Sequence, residues 1–158
     1  MTFVWVVAIA FAIYLLWRLF GSPAVAEQND RDSTVQTTGN IRGGGDFECD
    51  VVGESKYQNH LERIAGGRTD DSAKLRKQAI LVLEDDNTHD KNAVRVYIDG
   101  LTVGYLSRET AKVYRRQLKR QKLPIGNYTC DAMIVGGWDR SDGDVGHFGV
   151  RLDVPITD

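Results

Sequence analysis

Cysteine is scarce in this chain. Its 158 residues hold only two, Cys49 and Cys130, which stand 81 positions apart. That separation gives neither a metal-ligand spacing nor a disulfide framework. Both alternate with apolar residues, in "FECDVV" and "NYTCDAMIV", and so read as buried strand thiols. A single bridge between them stays open if the domain is exported. An excess of one charge is also lacking: 20 basic against 22 acidic residues leave a formal charge of −2. That balance excludes a bulk polycation, so any contact with nucleic acid has to be local. No phosphate-cradling glycine loop with its lysine, no nucleophile elbow, no Cys–His pair and no His-x-x-x-His is present. The chain therefore reads as a non-enzyme with no metal and no cofactor.

What is present begins with "FVWVVAIAFAIYLLWRLF", Phe3 to Phe20, apolar except at Arg18. Eighteen residues at about 1.5 Å each span roughly 27 Å, close to a hydrocarbon core of about 30 Å. Trp5 and Trp17 suit the two interfaces, and Arg18 can snorkel to the headgroups. The competing reading is a signal peptide cleaved near Ala26, in the small-residue stretch "SPAVAEQ". No basic residue precedes Phe3 and the charge lies beyond the apolar run, which favours a single-pass anchor over residues 1–20. The positive-inside rule then leaves the folded domain in the cytoplasm. Residues 21–45, rich in small and polar residues and ending in "RGGGD", read as a flexible tether.

From Asp46 to Asp158 the pattern is that of one folded domain. "DFECDVVG" reads as a strand closed by Gly53. "SKYQNHLERIAGG" reads as a helix, with Ser55 and Gln58 as a capping box, Tyr57, Leu61, Ile64 and Ala65 as its apolar face, and a glycine stop. "RTDDSAKLRK" reads as a polar loop and "QAILVLE" as a buried strand. Asp99-Gly100 between two alternating runs predicts a two-residue hairpin. That register pairs Ile98 with Leu101, Val96 with Val103 and Val94 with Tyr105 on one face, and sets Gly104 opposite Arg95 as a bulge or a close backbone approach. "SRETAKVYRRQLKRQK" reads as a second helix capped by Ser107, with Ala111, Tyr114 and Leu118 as its core stripe. It is expected to end at Pro124 and Gly126. "NYTCDAMIVGGW" and "HFGVRLDVP" add two strands joined by the acidic loop "DRSDGDVG". The fold class is mainly β with two helices, a small OB-like barrel of five or six strands.

The densest polar cluster, Glu84 to Asp90, sits just ahead of the hairpin. Asp85, Asp86, His89 and Asp90 are candidate ligands for a hard cation, but their spacing matches no EF-hand and no distant carboxylate pair completes a cage. A plainer alternative has Asn87, Asp90 and Asn92 satisfying their own backbone in Asx turns. A third is a pocket, with His89 as a stacking ring and Asp90 and Asn92 bonding a sugar or base edge. The second helix carries Arg108, Lys112, Arg115, Arg116, Lys119, Arg120 and Lys122 against Glu109 alone. That run is either a solvated face or a patch for phosphates, on nucleic acid or on anionic headgroups. "DRSDGDVG" lacks the alternation of a calcium loop and reads as a hairpin loop. His60 and His147 have no paired ligand.

"CDVVGESKYQ" followed by "LVLEDDNTHDKNAVRVYIDGLTVGYLSRETA" resembles the HIRAN domain. The shared features are Val-Val-Gly opening a strand, Asn-x-x-Asp-x-Asn-Ala-Val, and Val-Gly-Tyr-Leu ahead of a capped helix. The resemblance implies a modified OB-like barrel that binds single-stranded DNA and captures its free 3′ end, beside an ATP-driven helicase-type motor supplied here by a partner. It implies that Tyr57 stacks on a base, with Lys56 beside it in the pocket, and that His89 holds a position where some members carry tyrosine. Asp90 accepts from the terminal 3′ hydroxyl and Asn92 braces the loop. Arg108, Lys112, Arg115, Arg116, Lys119 and Arg120 would hold phosphates. Ser55 and Lys56 replace an arginine and an aromatic of the eukaryotic pattern, which removes one stacking surface. Two expectations follow: a membrane-tethered single-stranded DNA binder, or a protein- or lipid-binding adaptor on the same barrel, with a metal-dependent hydrolase as a distant third. No oligomeric state is implied.

Overall fold

The computed structural model describes residues 35–156. The expected anchor over residues 1–20 and residues 21–34 of the expected tether lie outside the described residues. Among the described residues no helix is long and apolar enough to cross a membrane.

Seven strands form one sheet: β1 (Gly39–Asn40), β2 (Cys49–Val52), β3 (Ala73–Leu83), β4 (Val94–Ile98), β5 (Leu101–Leu106), β6 (Tyr128–Gly136) and β7 (Phe148–Asp153). Their order is β1-β6-β3-β4-β5-β2-β7, and β7 also pairs with β6. Six of them thus close into a barrel, which removes open edges. Strand β1 extends β6 beyond the end of β7, with Gly39 opposite Tyr128 in parallel register. It falls inside the segment expected to be a tether, and Ile41 next to it packs on the core. Helix α1 (Gln58–Ala65) and helix α2 (Arg108–Arg120) cover the barrel. The core is the expected one: Leu61, Leu81, Val96, Val103 and Leu152 are fully buried.

The structure departs from the sequence expectations in four further places. Strand β3 starts at Ala73, within the stretch expected to be a loop, and pairs with β6 from Ala73↔Gly136 to Leu81↔Tyr128. Its alternation is real, with Ala73 and Leu75 half-buried and Lys74 and Arg76 exposed, but the charges hide it. Helix α2 stops at Arg120, short of Pro124 and Gly126. Lys122 takes the left-handed conformation at φ 53°, and the Leu123 N–H reaches back to Leu118 O at 3.0 Å while the Lys122 N–H reaches Lys119 O at 3.1 Å. Those two bonds make a Schellman stop in which a lysine takes the usual glycine position. The hairpin begins as expected with Ile98↔Leu101, but a bulge then shifts it to Val96↔Gly104 and Arg95↔Tyr105. Gly104 lies so close to β2 that a Cβ there would meet Val52 O at 2.6 Å. The shift carries Tyr105 from the core face to the outer face.

The fourth departure is the capping box. Ser55 lies in a 3₁₀ turn, Glu54–Lys56, entered through left-handed Gly53; Tyr57 is the N-cap of α1, with no side-chain cap bond. Gln58 has a different task. Strand β2 pairs with β7 only at Cys49↔Leu152 and Asp50↔Arg151, so the rest of β7 lacks a strand on that side. Gln58 fills the gap: its Oε1 accepts from the Phe148 N–H at 2.9 Å and its Nε2 donates to Phe148 O at 3.0 Å. Glu54 Oε1 accepts from the Val150 N–H one step along. Gln58→Ala therefore leaves both polar groups of a buried residue's backbone without partners and is expected to cost about 2 kcal/mol. The check is the urea midpoint, which should fall without a change in slope.

Cys49 and Cys130 are free and buried, as expected of strand thiols. Burial, and then the charge of Asp50, push the Cys49 thiol up to about 11, and burial pushes Cys130 up to about 12. At pH 8 both should react with a thiol reagent at least about 100-fold more slowly than in the unfolded chain. Equal labelling rates in native and denatured protein would contradict this.

Candidate functional site

The polar loop between β3 and β4 is built by its own side chains and held by one arginine. The Glu84 N–H donates to Ala93 O at 3.0 Å and closes the mouth of the loop. Asn87 Oδ1 accepts from the backbone N–H of His89 at 2.9 Å and of Asp90 at 3.0 Å, and Asp90 Oδ1 accepts from Asn92 N–H at 2.9 Å. These are Asx turns, so the plainer of the sequence alternatives describes the backbone. From α2, Arg115 donates to Asn92 O at 2.9 Å, Ala93 O at 3.0 Å and Asp85 Oδ1 at 2.6 Å. Every nitrogen of that guanidinium is engaged. Arg115, expected among the phosphate ligands, is the brace of the loop, and Asn92 is braced through its carbonyl. Among the described residues no group of three or more metal-ligating side chains could hold an ion.

Asp86, Thr88 and His89 present exposed side chains on the loop. The Asp90 carboxylate is about four-fifths buried, its second oxygen 3.9 Å from Arg108 Nε. With Oδ1 already taken, Oδ2 is an acceptor facing a cation.

The aromatic part of the site lies on the outer face of β4 and β5. Tyr57 follows the 3₁₀ turn and is half-buried; its ring lies 5.8 Å from that of His60, tilted by 32°. His60 Nδ1 in turn meets Thr102 O at 2.7 Å, which fixes α1 on β5. The Tyr57 and Tyr105 phenols lie beside each other. Burial raises the Tyr105 phenol above its ordinary value, the Arg95 charge opposes that rise, and Tyr57 adds to it. The Tyr105 phenol is therefore neutral at pH 7 and can donate and accept.

Arg95 connects these parts. It is the strand partner of Tyr105, donates to Tyr97 Oη at 2.7 Å and pairs with the buried carboxylate of Glu84. Glu84 Oε2 accepts from Asn87 Nδ2 at 2.7 Å, and Asn87 holds the backbone of His89 and Asp90. A continuous polar line thus runs Tyr57–Tyr105–Arg95–Glu84–Asn87–Asp90. Among the described residues no hydrogen bond or ring contact joins Tyr57 directly to His89 or Asp90; the line joins them. Sequence reasoning named its two ends and missed its middle. The signal was the two-against-one bulge before Gly104, which sets Arg95 beside Tyr105.

Of the remaining expected ligands, Lys112, Arg116 and Lys119 line one cleft together with Arg115. Lys56 is exposed in the 3₁₀ turn. Arg108 is exposed at the end of α2 nearest Asp90, Lys112 and Lys119 are exposed one and three turns on, Arg116 is exposed with an interaction partner, and Arg120 is exposed at the far end.

The sequence pattern of the HIRAN domain matches residues 44–135, more than half of the chain. A solved structure, "Crystal structure of HIRAN domain of human HLTF", aligns with 54% of this chain and 82% of its own, at 18% identity and a TM-score of 0.24. No curated protein matches the chain.

Proposed function

The chain belongs to the HIRAN domain family, and on that footing we propose that it is a membrane-tethered module that binds single-stranded DNA without catalysis of its own and takes a 3′ end at the Glu84–Asp90 loop. HIRAN domains are in general DNA-binding modules that recognise such ends. The observation that supports the reading here is the polar line from Tyr57 to Asp90, because it couples a stacking platform to an oriented carboxylate. Tyr57 offers its half-exposed ring to a terminal base. Arg95, beside Tyr105, supplies a cation for a phosphate. Asp90 Oδ2 accepts from the terminal hydroxyl, with His89 as a second ring at the entrance. Lys56 and Arg108 flank the path of the strand.

The tether is the apolar run Phe3–Phe20, which by its flanking charge leaves the barrel in the cytoplasm. A helicase or other ATP-driven motor, absent from the described residues, is the proposed partner. Fluorescence anisotropy of residues 35–158, a piece that keeps β1, tests the binding. Single-stranded oligonucleotide should bind with a log–log salt slope of about −2, for roughly three neutralised phosphates. No binding at low salt would end the proposal and leave the adaptor reading.

A further inference from the structure

Four basic residues of α2, Lys112, Arg115, Arg116 and Lys119, line one cleft. Arg108 faces Asp90 and Arg115 braces the loop. The cleft holds about 490 Å³; Lys112, Arg116 and Lys119 rim it, its apolar wall includes Leu83, Leu123 and Ile125, and Asp85 and Asn92 of the loop line it too. Ile125 is 78% exposed. A surface that grips phosphates alone has no use for a protruding isoleucine. Cations around an exposed apolar residue match the boundary where headgroup phosphates meet acyl chains.

The described chain begins at this corner of the barrel. Asn127, two residues past Ile125, accepts through Oδ1 from the Leu83 N–H at 3.3 Å and donates through Nδ2 to Gln36 O at 3.2 Å. The Thr38 N–H donates to Asn127 O at 2.6 Å. The first described residues therefore leave the barrel beside the cleft. The segment from residue 21 to residue 35 reaches roughly 50 Å when extended and about 20 Å as a coil. A site held that close to a membrane meets it at high effective concentration, so weak affinity suffices.

Resting on the tether proposed above, we infer that the Lys112–Lys119–Ile125 cleft docks on anionic phospholipid, the cations on headgroup phosphates and Ile125 in the interface. Asp85, Asn92 and Arg115 line the same cleft, so it borders the loop that carries Asp90.

The buried thiols make a clean test possible. Full-length Ile125→Cys is labelled at pH 7 with a polarity-sensitive dye, which leaves Cys49 and Cys130 untouched, and is reconstituted into vesicles. Flotation with phosphatidylcholine vesicles reports the tether independently. The expected result is a blue-shifted, brighter dye when about 30% of the lipid is anionic, a response reduced at least ten-fold in Lys112→Glu/Lys119→Glu. A chain that floats yet shows no dependence on lipid charge overturns the inference and leaves the tether standing. A chain that floats with neither vesicle removes the tether and the inference with it. A shift produced by single-stranded oligonucleotide on neutral vesicles assigns the cleft to nucleic acid and overturns it as well.

Discussion

Tyr57→Ala weakens single-stranded DNA binding by roughly ten-fold or more, because one base–aromatic stack is worth about 1–3 kcal/mol. The substitution leaves the helix start intact: the bond from the Leu61 N–H to Tyr57 O, 3.0 Å long, uses only backbone. The loss is therefore one of surface and not of fold. Tyr57→Phe separates the two jobs of the side chain. It keeps the ring and removes the hydroxyl beside Tyr105, so affinity should fall by no more than about five-fold. Anisotropy titrations of both variants at one salt concentration make the comparison. Equal losses in the two would mean that the hydroxyl, and not the stacking face, carries the contact.

Arg115→Ala is expected to cost about 3 kcal/mol of stability, read from urea unfolding. Two of its bonds go to half-buried carbonyls, of Asn92 and Ala93, and charge-assisted hydrogen bonds are worth about 1.5–3 kcal/mol each. The third, to Asp85, adds little because that carboxylate is 71% exposed. Strand binding should fall with it, since the loop that orients Asp90 loses its brace. The competing role, a plain phosphate ligand, predicts unchanged stability and a salt slope smaller by about 1. Arg120→Ala, at an exposed position, serves as the comparison for that behaviour.

Most of the fold was legible because its signals are local. Asp99-Gly100 marks the hairpin, and Ser107, which accepts from the Thr110 N–H at 3.1 Å, caps α2. The stripe Ala111, Tyr114 and Leu118 is the buried face of that helix. What escaped depends on partners far along the chain. Gln58 looks like half of a capping box until β7 arrives ninety residues later, with Phe148 lacking a strand on the side away from β6. Lys74 and Arg76 read as loop until β6 pairs them. Gly39 and Asn40 have no strand propensity to display, and only the free edge of β6 makes them one.

The candidate site divides along the same lines. Asn87 and Asp90 order their own loop, and residues three apart suffice to show it. Arg115 sits in a run of cations that all look alike, and only the fold turns one of them inward. Tyr105 is the sharpest case. Two-residue alternation assigns it to the core with Val94, and one extra residue in β5 turns it outward beside Arg95 and Tyr57.

The most direct measurement is the affinity of the wild-type domain for one oligonucleotide ending in a 3′ hydroxyl or in a 3′ phosphate. If Asp90 Oδ2 accepts from the terminal hydroxyl, the hydroxyl end binds about ten-fold or more tightly, and Asp90→Ala erases the difference. Equal wild-type affinity for the two ends would contradict capture of a strand terminus at this loop.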